Sequence, residues 1–133
     1  MKIQRFTKFK AQNEDTILDE CGYPEASLIV DVLPFFKADE KLVFLFLDED
    51  DFQWILSPDA FKMHLYDSYN TKSYIVDETY RKSFVVFIKD YNDYIFYGIY
   101  KMADPYVHSG ALSGATDVYA PLEFSLEQSE YAY

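Results

Sequence analysis

Apolar positions in this chain come in short runs separated by charged or proline-containing turns. Ile3 to Phe9 alternates loosely and predicts a first strand. Asn13 followed by Glu14 and Asp15 reads as an N-cap with two acids in the first turn, where the helix dipole favours them. Ile17, Leu18 and Cys21 form the apolar stripe of this short helix, and Gly22 closes it ahead of Tyr23-Pro24. Ser27 to Leu33 predicts a strand that ends at Pro34. Leu42 to Leu47 is an unbroken apolar run, as expected of a strand covered on both faces. The charged segment Lys37 to Lys41 lies between these two, so they are expected to pair as neighbours. Phe52 to Leu56 adds a short strand after the acidic corner Asp48 to Asp51.

In the second half, Ser57-Pro58-Asp59 carries the signals of a helix start: a capping serine, a proline at the first helical position and an acid at the dipole. Phe61, Leu65 and Tyr69 then fall four apart, with His64 beside them, and Asn70-Thr71-Lys72 ends the expected helix. Ser83 to Ile88 and Tyr94 to Tyr100 are β-branched and aromatic runs flanking the polar turn Lys89 to Asp93, which predicts a hairpin. Gly98 inside its second strand points to a bulge or a close backbone approach. Ala103 to Ala120, with Pro105, Gly110 and Gly114, reads as a loop. Residues 121–133 read either as an edge strand or as a loose acidic tail. The expected fold is α+β: a mainly antiparallel sheet of about five to six strands with two short helices, in a single domain over residues 1–133.

Composition sharpens the picture of the surface. The 12 Phe, 13 Tyr and single Trp exceed what a core of this size needs, and surplus tyrosines line surfaces and interfaces. The formal net charge is −11. It is unevenly placed, because Lys2, Arg5, Lys8 and Lys10 make the first ten residues basic, while 11–60 hold thirteen acids against Lys37 and Lys41. Such a field repels nucleic acid and anionic membranes and attracts basic proteins. The same acidity also serves solubility. No apolar run approaches the ~20 residues of a membrane span. Met1 to Arg5 lacks the apolar core of an export signal, so a cytoplasmic protein is expected.

Candidate chemistry is sparse. Cys21 is alone, so it can form neither an internal disulfide nor a zinc framework. There is no nucleophile elbow and no phosphate-binding glycine loop, and His64 and His108 lie far apart in sequence. Neither a catalytic set nor a metal or cofactor site is expected. Asp48 to Asp51 fails as a calcium loop, because Phe52 and Gln53 occupy the fifth and sixth positions that need an oxygen ligand and a glycine. Gly98-Ile99-Tyr100 matches half of the GIY-YIG nuclease signature, whose second half is absent.

Two turns concentrate carboxylates beside aromatics. Asp48, Glu49, Asp50 and Asp51 with Trp54 combine steering charge with an aromatic anchor, and Asp90, Tyr91, Asp93 and Tyr94 do the same at the hairpin tip. Spaced carboxylates of this kind resemble the phosphates of DNA as imitated by small acidic phage proteins. The expectation is therefore a non-enzymatic binding or inhibitor protein for a basic, nucleic-acid-handling partner: an anti-CRISPR or anti-restriction protein, or a toxin's immunity protein. One alternative is a reader domain for a modified base or peptide, because the hairpin resembles those of small PUA-like barrels. That reading requires an aromatic cage around Tyr97 and Tyr100 with a basic rim from Arg81, Lys82, Lys89 and Lys101. A second alternative is a hydrolase using acids with His64 or His108, which requires a histidine within hydrogen-bond reach of a carboxylate in a cleft.

Overall fold

The structure is a computed structural model and describes residues 2–10, 13–30, 33–65, 69–104 and 121–132. Its centre is a pair of parallel strands. β5 (Leu42–Leu47) lies beside β8 (Ser83–Asp90), with Leu42 opposite Ser83 and Leu47 opposite Ile88. Both strands are covered on both faces, as the unbroken apolar runs predict. Alternate side chains feed two separate cores. Val43, Leu45, Leu47, Phe84, Val86 and Ile88 enter one, with Ile75 and Val76 of α2 (Tyr69–Thr79). Phe44, Phe46, Val85 and Phe87 enter the other, with Ile17 and Leu18 of α1 (Glu14–Glu20). In that second core the rings of Phe44, Phe46 and Phe87 stack within 6.4 Å of one another.

α1 forms as its sequence dictates. The Asn13 side chain accepts from Thr16 N, Glu14 and Asp15 occupy the first turn, and Gly22 takes φ +89° just past the helix end. The predicted hairpin is also present. β8 pairs along its length with β9 (Asp93–Met102), and the ladder closes at Asp90 opposite Asp93, so the turn is the two residues Tyr91-Asn92 rather than five.

Gly98 is the splice point of the sheet. The register slips between Val86 and Phe87, leaving Tyr97 as the extra residue of a bulge. On its other edge β9 changes partner here. Asp93 to Ile95 pair with β2 (Lys8–Lys10), and Ile99 to Met102 pair with β10 (Leu122–Gln128). Arg5 locks the junction. Its Nε donates to Tyr97 O at 2.7 Å, and its terminal nitrogens reach Pro58 O at 2.6 Å and Asp59 Oδ1 at 3.0 Å.

Several expectations are corrected. Among the described residues the main sheet has nine strands rather than five to six, because it recruits strands of two to four residues, too short to carry a period. The order is β3 (Ser27–Leu28), β4 (Phe35–Lys37), β5, β8, β9, β10, β7 (Ala60–Met63), β6 (Gln53–Leu56), with β2 on β9. β4 therefore separates the Ser27 segment from β5, and Leu33 lies outside any strand. The Ile3–Phe9 strand is two, β1 (Lys2–Gln4) and β2, broken where Phe6 adopts φ +70°. Residues 122–128 form an interior strand of the main sheet, and β11 (Glu130–Ala132) pairs with β1 in a separate two-stranded sheet.

The helix expected from Ser57 is absent. The Ser57–Pro58 peptide is cis and sits in a turn, and Phe61, Met63 and Leu65 are buried at a spacing of two. Ser-Pro-Asp is as good a turn signal as a helix signal, and strand alternation decided between them. Asn70 to Lys72 belong to the beginning of α2 instead. The loop read over 103–120 falls, from Pro105 onward, outside the described residues, as does His108.

A Cβ on Gly98 would meet Leu126 Cδ1 at 2.5 Å and Gln128 O at 2.9 Å, on a backbone at φ +132° that suits only glycine. Gly98→Ala is expected to destabilise the protein by about 2–4 kcal/mol, read from the midpoint of urea unfolding. A change below about 0.5 kcal/mol would contradict the splice.

Candidate functional site

The parallel pairing of β5 and β8 dictates where the acids meet. Parallel neighbours end at the same side of a sheet, so whatever follows Leu47 and Ile88 lies side by side. After β5 comes the corner Asp48 to Asp51. After Ile88 come Lys89, Asp90 and the turn residue Tyr91. The two groups, separate in sequence, enclose one open cleft of about 620 Å³ lined by Asp48, Glu49, Asp50, Asp51, Lys89, Asp90 and Tyr91. All seven are exposed.

The corner is held in shape from within. Asp48 N donates to Asp51 Oδ2 at 2.8 Å, and Asp51 N donates to Asp48 O at 3.0 Å. Desolvation raises the Asp51 carboxyl above its ordinary pKa. The Asp48 and Asp50 charges add to that shift, and the hydrogen bond from Asp48 N works against it. At the other wall, Tyr91 sits at φ +57° and is 91% exposed. A bulky residue in that conformation is uncommon, and here it holds a phenol ring out in water at the rim of the cleft.

Tyr94 and Trp54 take different places from those expected. Tyr94 is 3% exposed, its ring lies 5.8 Å from Phe46, and its hydroxyl meets Glu14. Burial, followed by the charge of Glu14, pushes its pKa up to about 12. A docking molecule at this turn meets Tyr91, with Tyr94 beneath it as support. Asp93 is half-buried where β9 begins, opposite Lys10. Trp54 is half-buried on β6 with its ring 5.0 Å from Phe52 and 5.5 Å from Tyr97, away from the residues that line the cleft.

Sequence reasoning missed two participants. Lys89 is a cation in the cleft wall, and Glu14 reaches Tyr94 from the first turn of α1. Lys89 is readable as part of the polar turn Lys89 to Asp93, whereas the approach of α1 to the hairpin is a long-range packing result.

A second cavity of about 390 Å³ backs onto the same corner. Asp50 and Asp51 line both, and Phe52, Lys62, His64 and Leu65 are among the residues that complete the second. Tyr100, expected in an aromatic cage, is fully buried and donates its hydroxyl to Pro58 O at 2.6 Å. Cys21 is buried, and desolvation, with the neighbouring Glu20 charge, pushes its thiol up to about 12, which keeps it protonated. Among the described residues no three His, Cys, Asp or Glu side chains are placed to hold a metal ion, and no helix is long and apolar enough to cross a membrane. Comparison of the chain with protein-family models, with curated proteins and with solved structures finds no match in any of the three.

The raised Asp51 pKa sets a pH dependence. The folded state holds this proton more tightly than the unfolded chain. The associated stability is therefore present below the unfolded value of about 4 and is lost as pH rises through the folded value. Asp51→Asn keeps an oxygen to accept from Asp48 N and removes the desolvated charge. It is expected to raise Tm at pH 7, with the gain vanishing below about pH 4 in thermal melts. A Tm that falls at pH 7 would contradict this picture of the corner.

Proposed function

We propose that this protein is a non-enzymatic inhibitor that uses its acidic cleft to occupy a basic surface of a nucleic-acid-handling protein. The observation that carries this reading is the convergence of the 48–51 corner and the 89–91 turn on one exposed cleft. Charges gathered in this way focus field lines more strongly than the same charges dispersed, and so accelerate encounter with a basic partner. An internally hydrogen-bonded corner loses little freedom when it binds. Tyr91 supplies an amphipathic ring of the kind enriched at binding hot spots. A chain of net charge −11 that binds in this way competes with nucleic acid for its partner, rather than binding nucleic acid itself. The settings that fit such chemistry are a phage protein acting against CRISPR or restriction enzymes, and an immunity protein that neutralises a toxin.

The test is capture of bacterial host proteins on the immobilised chain, followed by affinity measurement on what is retained. Replacing Asp48, Asp50, Asp51, Asp90 and Asp93 together by Lys is expected to abolish capture. Raising salt to about 0.5 M, where the screening length falls to roughly 4 Å, is expected to weaken the native interaction at least tenfold, mainly through the association rate. A partner whose affinity survives both changes would overturn the proposal.

A further inference from the structure

Four aromatic side chains form a continuous row at the surface. Phe6 packs edge-on against Tyr97 at 5.3 Å, Tyr97 lies 5.5 Å from Trp54, and Trp54 lies 5.0 Å from Phe52. Phe6 is 50% exposed and the other three are half-buried. The row is costly to display. Phe6 is held at φ +70°, a left-handed conformation worth about 1–2 kcal/mol of strain for a residue with a Cβ. Tyr97 is the extra residue of the β9 bulge. Bulges re-aim side chains, and this one brings Tyr97 between Phe6 and Trp54.

Rows of exposed rings serve two kinds of ligand. Single-stranded nucleic acids stack their bases on them, and basic peptides lay guanidinium groups over them. Charge decides between the two. At one end of the row, Phe52 follows Asp50 and Asp51 directly and shares the 390 Å³ cavity with them. A phosphate backbone would be repelled there, whereas an arginine would find a carboxylate. At the other end the row already carries such a contact, because the Arg5 guanidinium carbon lies 5.0 Å from the Phe6 ring centre.

We propose that this row is a docking track for an extended, arginine-containing segment of the partner protein, with guanidinium groups stacking along Tyr97 and Trp54 and pairing with Asp50 and Asp51. The proposal rests on the acidic-cleft reading and extends it. The cleft attracts basic charge of any form, and the row selects arginine over lysine because a planar guanidinium stacks where an ammonium does not. Asp50 and Asp51 border both cavities, and Phe52, at one end of the row, lines the second.

Trp54 is the chain's single tryptophan, so its fluorescence reports on the row directly. Labelled oligoarginine, oligolysine and oligothymidylate of equal length are titrated against the full chain. Anisotropy measures binding, and Trp54 emission measures contact with the row. The expected result is saturable oligoarginine binding with a matching change in Trp54 emission, weaker oligolysine binding without that change, and no effect of oligothymidylate. Tyr97→Leu and Phe6→Gly are expected to cut the arginine preference about 3- to 10-fold while leaving oligolysine binding in place. Phe6→Gly relieves the left-handed strain, so it tests the ring without threatening the fold.

Oligoarginine that binds without altering Trp54 emission, no more tightly than oligolysine, would overturn the docking track and leave the acidic cleft standing. Failure of both peptides to bind would overturn the two together. Quenching by oligothymidylate would reassign the row to nucleic acid. A Trp54 blue shift that grows with protein concentration alone would reassign it to a second copy of this chain.

Discussion

The parallel ladder between β5 and β8 is the constraint from which the rest of the molecule follows. Six residues on each strand are in register, and nearly all are buried on both faces. Odd and even positions thereby build a core on either side of the sheet, one closed by α2 and the other by α1. A ladder with two dry faces tolerates little: truncating Phe44 or Phe87 removes a stacked ring from a dense core, a loss of about 3–5 kcal/mol for such a change. The same ladder has a consequence at its end. The strands run in one direction, so their exits are neighbours, and the acidic corner meets the hairpin tip.

The second organising feature is the junction at Gly98. One strand serves two partners on the same edge, β2 and β10, and the changeover is possible because glycine lets the backbone of β10 approach closely. Arg5 fills the polar gap that the bulge opens. It satisfies the freed carbonyl of Tyr97 and ties it to the Pro58 turn, where the Tyr100 hydroxyl also donates. A single basic side chain near the N-terminus thus joins segments from three parts of the chain. The bulge that needs this clamp is the one that displays Tyr97, so the structural solution and the aromatic surface share one cause.

Strong local signals were legible in the sequence. The α1 cap, the double-faced run of β5, the 83–100 hairpin and the irregularity at Gly98 each carry a physical requirement confined to a few neighbouring residues. What was not legible depends on distant partners. β3 and β4 are two and three residues long and exist only because β5 offers an edge. Ser57-Pro58-Asp59 satisfies helix and turn rules alike, and the alternation of Phe61, Met63 and Leu65 that decides for a strand follows only after it. For the site, the acidic corner and the exposed Tyr91 were both readable from local composition. Their meeting in one cleft required knowing that β5 and β8 are parallel. The burial of Tyr94 and Tyr100 required knowing which side of β9 faces each core.

The central claim is that the corner and the hairpin turn act as one binding surface. The most direct measurement is a two-dimensional NMR titration of the isotope-labelled chain with oligoarginine, following the backbone amides of residues 48–51 and 89–93. The account predicts that both sets shift along a single saturation curve with one midpoint. Shifts confined to one turn, or two curves with separate midpoints, would contradict it.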